Sequence, residues 1–102
     1  ISGLKTIKLP SKLKYIKAGF LKGSTDLEKI SIPNQVRTIG KEAFAGCRNL
    51  KIYIPATVKN IGKNAFGKGD GCVKKIYCVK NSAAYKYAKK NNIPYKTVSI
   101  KE

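Results

Sequence analysis

The residues able to do chemistry are few and scattered. Of the nucleophilic and metal-binding types, the chain has three cysteines, at positions 47, 72 and 78, and no histidine. The commonest general base, the usual activator of a Ser or Cys nucleophile and the commonest metal ligand are therefore all missing. The five acidic residues are Asp26, Glu28, Glu42, Asp70 and Glu102. They are spread along the chain, and no two are spaced as an acid–base pair. No C-x-x-C pair is present, so metal ligation by the cysteines has little support, and an odd count leaves at least one thiol free or paired between chains. Gly67, Gly69 and Gly71 flank Lys68 and Asp70. They fit an insertion between structural units better than a phosphate loop, which needs a longer motif ahead of a helix. The expectation is a non-catalytic chain with no cofactor and no metal.

What the chain does have is positive charge. There are 22 basic residues against 5 acidic ones, for a net charge of +17 over 102 residues, and only Arg37 and Arg48 are arginines. A lysine-dominated excess attracts anions diffusely. Base-edge reading of nucleic acid relies on the planar arginine fork, so specific nucleic-acid recognition is not expected. No apolar run is long enough to cross a membrane. The chain opens on Ile1, and a longer parent is expected.

These side chains are positioned by an internal repeat. Leu4, Leu27, Leu50 and Val73 stand at a constant interval of 23 residues. After each comes an alternating apolar pattern: Ile7 and Leu9, Ile30 and Ile32, Ile52 and Ile54, Ile76 and Cys78. Alternation over so short a run reads as a strand with one buried face. Pro10, Pro33 and Pro55 end the first three segments, because proline lacks the ladder donor. Gly40 and Gly62 are read as tight turns. Ala43-Phe44 and Ala65-Phe66 return an aromatic ring to the interior, and Phe20, Phe44 and Phe66 are expected to stack in one column. One such unit cannot bury its own apolar face, so neighbours must stack upon one another.

The run from Ile32 to Cys47, Ile-Pro-x-x-Val-x-x-Ile-Gly-x-x-Ala-Phe-x-x-Cys, resembles the BspA-type leucine-rich repeat of bacterial surface proteins. The resemblance implies a leucine-rich-repeat solenoid of the α/β repeat class. It would have a short parallel sheet, a mostly irregular convex side and a single C-terminal capping helix. Residues 1–79 then hold about three and a half copies of 22–24 residues each, and 80–102 form the cap. Ser82 suits the N-cap of a helix over about 82–91, Lys89 and Lys90 suit its last turn, and Asn91 or Asn92 suits its exit. An extended segment follows from Ile93. The resemblance also implies an extracellular or cell-surface location.

With the Leu and Ile positions turned inward, the intervening residues face outward on the open sheet. One outward row is Lys8, Ser31, Tyr53 and Tyr77; its neighbour is Thr6, Lys29, Lys51 and Lys75, with Lys5, Glu28 and Lys74 beyond. Lys8, Lys29, Lys51, Tyr53, Lys75 and Tyr77 are the candidate binding face. Ammonium groups beside paired tyrosines suit an anionic or carbohydrate-bearing polymer. The same residues also suit a solvated face that keeps sheets apart. Three functions follow from this reading. The first is an adhesion module for a protein or glycan partner. The second is a spacer or targeting domain of a larger secreted enzyme. The third, supported by net charge alone, is non-specific nucleic-acid attraction. Nothing before Leu4 looks like a cap, so self-association at the N-terminal end is a further expectation.

Overall fold

A computed structural model describes residues 6–98; the positions assigned above to Leu4, Lys5 and Glu102 lie outside them. The chain winds as a succession of short segments that return to the same place once per repeat. Four strands start the successive coils: β1 (Thr6–Ile7), β3 (Lys29–Ser31), β5 (Lys51–Ile54) and β7 (Lys75–Cys78). Between them lie three two-residue strands: β2 (Tyr15–Ile16), β4 (Thr38–Ile39) and β6 (Asn60–Ile61). Helix α1 (Ala83–Lys90) and strand β8 (Tyr95–Thr97) complete the described chain.

All pairing is parallel. The first sheet runs β1-β3-β5-β7-β8 and the second β2-β4-β6. The alternation dictates the register: Ile30, Ile52 and Ile76 are paired across the first sheet and buried. Cys78 sits opposite Ile54 as the inward residue of its strand, and both are buried. From the second sheet, Ile16 and Ile39 enter the same core. A third side of each coil is also bonded to the next through the backbone. The Leu21 amide donates to the Ala43 carbonyl at 2.8 Å, and the Phe44 amide donates to the Ala65 carbonyl at 2.7 Å.

One expectation is corrected here, and a second gains a further cause. Phe20 does not join the aromatic column. Phe44 and Phe66 stack with centroids 5.9 Å apart and planes 5° from parallel, but the first-coil residue hydrogen-bonded beside them is Leu21, which is buried. Phe20 is only half-buried at the rim. The constant interval explains this, since Leu21 lies 23 residues before Phe44 and Phe20 lies 23 before Ala43. Gly40 and Gly62 open the turns as expected, their carbonyls accepting from the Ala43 and Ala65 amides at 3.3 and 3.2 Å, but neither has a positive φ, so left-handed backbone is not what requires glycine there. They let successive coils touch: a β-carbon on Gly40 would lie 2.5 Å from the Ala18 nitrogen, and one on Gly62 would lie 2.6 Å from the Lys41 nitrogen. The left-handed bend follows two residues later, at Gly19, Glu42 and Asn64, with φ of 68°, 55° and 56°.

The tail closes the end of the stack. The Ser82 hydroxyl accepts from the Tyr85 amide at 3.2 Å, satisfying one of the free donors at the helix start. Ala84 and Ala88 are buried against the last coil, and Tyr87 meets Phe66 edge to face at 5.6 Å, extending the aromatic column into the cap. Asn92 takes the left-handed exit with φ 57°. The chain then returns as β8, held by the Ile76 amide donating to the Pro94 carbonyl and the Val98 amide donating to the Cys78 carbonyl, both at 2.9 Å.

Candidate functional site

The pairing register decides which outward side chains become neighbours. Thr6, Lys29, Lys51 and Lys75 align across β1, β3, β5 and β7. Two residues further along each strand, Ser31, Tyr53 and Tyr77 align, and β8 adds Lys96 opposite Tyr77. Lys8 directly follows β1 and extends this row beyond Ser31. The six residues singled out from the sequence therefore share one face. Lys8, Lys29 and Lys51 are exposed, whereas Lys75, Tyr53 and Tyr77 are half-buried. Neighbouring strands lie about 4.8 Å apart, so the lysine row places three ammonium groups along the solenoid axis within reach of one polymer segment.

The face is concave in places. A depression of about 480 Å³ is lined by Thr6, Glu28, Lys29, Asn49, Lys51 and Lys74. A second, of about 320 Å³, is lined by Lys29, Ile30, Ser31, Lys51, Tyr53 and Tyr77. A third, of about 760 Å³, runs from Tyr53 and Ser31 across Lys8 to the turn at Pro33 and Asn34. Lys29 lines all three, so the depressions adjoin along one stretch of the face. Its basic end can hold an anionic group. Its tyrosine middle offers ring faces to the apolar side of a sugar or a side chain. Burial pushes the Tyr53 phenol above its ordinary pKa, so at neutral pH it stays a neutral hydrogen-bonding group.

Two contributors were not foreseen. Lys96 arrives through β8, which had been read only as an extended return; the clue was the Pro-terminated Ile93 followed by Tyr-Lys-Thr-Val. Asn49 lines the basic depression from the turn before β5, and its side-chain amide donates to the Thr25 carbonyl at 2.8 Å.

The thiols behave as interior groups. Cys47 and Cys78 are buried and Cys72 is half-buried; none is in a disulfide. Burial raises the pKa of all three, and the Cys47 thiol donates to the Leu21 carbonyl at 3.1 Å. Among the described residues no group of His, Cys, Asp and Glu side chains is arranged to hold a metal ion. No helix among them is long and apolar enough to cross a membrane.

Comparison with known families agrees with this geometry. The family model described as the BspA type leucine rich repeat region matches residues 1–102, which it divides into 6 copies. No curated protein and no solved structure matches the chain.

Proposed function

This chain belongs to the BspA-type leucine-rich repeat family, and from that premise we propose that its open sheet face is a non-catalytic binding surface for an anionic glycan or similar cell-wall polymer. Repeats of this family serve as protein-binding modules and are typical of bacterial surface proteins. On this reading residues 1–79 are the binding body, 80–102 the cap, and the parent acts in adhesion at the cell surface.

The observation that carries the proposal is the lysine row Lys29, Lys51 and Lys75, set in register beside Tyr53 and Tyr77. Like charges directly opposite one another weaken a sheet. Two ammonium groups about 4.8 Å apart in water repel by up to about 1 kcal/mol. Threonine or serine would keep the strands soluble without that cost. A row that repels itself in this way suits a partner that neutralises it. The tyrosines favour a polymer with sugar rings, since a pyranose spans about one strand spacing.

The test is the affinity of a fluorescent sulfated oligosaccharide for the protein over a range of salt concentrations. Binding should weaken steeply with salt. Replacing Lys29, Lys51 and Lys75 together by Glu should lower affinity about a hundredfold or more, at roughly 1 kcal/mol per lysine. The same exchange at Lys68, Lys86 and Lys90, exposed and outside the strands of the sheet, should leave affinity within about twofold. Equal losses in both variants would mean diffuse charge attraction. No loss in either would leave the solenoid as a spacer or targeting unit.

A further inference from the structure

The second sheet carries a basic ladder of its own. Tyr15, Thr38 and Asn60 are register partners in β2, β4 and β6. The residues immediately before them, Lys14, Arg37 and Lys59, therefore lie one above the next, about 4.8 Å apart. The backbone holds this alignment: the Arg37 amide donates to the Lys14 carbonyl and the Lys59 amide donates to the Arg37 carbonyl, each at 2.9 Å. All three side chains are exposed, as are Lys41 and Lys63 just beyond the strands. The stretches 12–17, 37–41 and 59–63 contain no acidic residue. Glu42, next in sequence to Lys41, is already engaged by the Lys22 ammonium at 2.8 Å.

This ladder is not part of the open sheet face. Ile16 and Ile39 lie on the inward side of its strands, Ile30, Ile52 and Ile76 on the inward side of the first sheet, and all five belong to one core. The ladder side chains are exposed and adjoin the second sheet, which is separate from the first. Each ladder presents one cation per coil along the solenoid axis, and the second stacks its like charges at the residues just before the paired strands β2, β4 and β6.

We propose that Lys14, Arg37 and Lys59 form a second contact surface for a linear anionic polysaccharide, so that a single molecule bridges two polymer segments. A row of evenly spaced cations matches a chain with evenly spaced anions, whereas a folded protein partner would need its acidic groups set at the same step. The choice of polysaccharide rests on the tyrosines of the open face. The existence of the second surface rests on register and charge alone. Two sites on one body convert binding of long chains into cross-linking, which short chains cannot show.

Two readouts on the intact protein separate these claims: affinity for a short sulfated oligosaccharide, and turbidity on addition of long heparin chains. Replacing Lys14, Arg37 and Lys59 by Glu should leave short-chain affinity within about threefold and raise the protein concentration needed for half-maximal turbidity about tenfold or more. The Lys68, Lys86 and Lys90 variant should cross-link like the parent. The proposal fails if the ladder variant retains full turbidity, or if the control variant loses it equally. It also fails in its choice of partner if single-stranded DNA of matched charge is cross-linked better than heparin. Should the ladder variant abolish short-chain binding while the Lys29, Lys51 and Lys75 variant does not, the open-face reading falls and the second surface stands. Circular dichroism of each variant confirms that the solenoid is folded.

Discussion

Replacing Gly62 by alanine adds one methyl group where the stack has no room for it. The new carbon would lie 2.6 Å from the Lys41 nitrogen, 2.8 Å from the Gly40 carbonyl carbon and 2.9 Å from the Lys41 α-carbon. All three are backbone atoms, so no side-chain rotation relieves the overlap. Ordinary contact needs about 3.5 Å or more, which requires the coils to separate locally by about 1 Å. The Gly62 amide donates to the Ile39 carbonyl at 2.8 Å, and such a shift would stretch that bond past useful length. Overpacking of this kind costs about 1–3 kcal/mol, and the lost hydrogen bond about 1 more. Alanine recovers part of this by restricting the unfolded chain, by about 0.4–1 kcal/mol. The net expectation is a loss of about 2–3 kcal/mol, which for a chain of this size lowers Tm by about 10–20 °C. Thermal and urea unfolding followed by circular dichroism measure it. Gly19→Ala is the internal comparison: its site is open, and only the left-handed φ of 68° opposes a side chain, at about 1–2 kcal/mol. A Gly62→Ala variant within about 3 °C of the parent would refute the close approach of the coils.

Three further outcomes are expected. Leu21→Ala should cost about 2–4 kcal/mol, and clearly more than Phe20→Ala, because Leu21 and not Phe20 lies under the Phe44–Phe66 stack; paired urea titrations decide it, and the reverse order would restore Phe20 to the column. Native thiol labelling should modify Cys72 first, with Cys47 and Cys78 reacting only on unfolding. Burial raises the folded-state pKa of all three thiols, so their stabilising contribution is complete well below about pH 8.5, the unfolded thiol value, and is lost as pH rises from about 7.5 through the folded values; the urea midpoint should fall between about pH 7.5 and 9.5, and a rise over that interval would contradict the assignment.

Much of the fold was legible because it is periodic. The Leu, Ile and Ile positions of each strand recur with two-residue alternation, so the inward set, the register and the outward candidate face follow together. The tail was legible through its helix signals, since the Ser82 cap and the Lys89 and Lys90 of the last turn need no partner to be recognised. The errors came where local motif outweighed period. Matching the Ala-Phe pair placed Phe20 in the column, although a constant interval puts Leu21 there. Gly40 and Gly62 were rightly placed at turns, but what requires glycine there is contact with a preceding coil, which no single coil reveals. The second sheet escaped notice because two-residue strands are too short to show alternation, and with it went the Lys14, Arg37 and Lys59 ladder. Lys96 was missed because β8 is exposed along its whole length, so no apolar pattern marks it as a strand.

The claim that the open sheet face is the binding surface is tested most directly by locating a bound oligosaccharide on the protein. In a ¹⁵N-labelled sample titrated with a short sulfated oligosaccharide, the largest amide shifts should fall within Lys29–Ser31, Lys51–Ile54 and Lys75–Cys78. Tyr95–Thr97 should move with them, because β8 carries Lys96 into the tyrosine row. Shifts centred on Ala83–Lys90, or spread evenly over the surface in proportion to exposed lysine, would contradict the account.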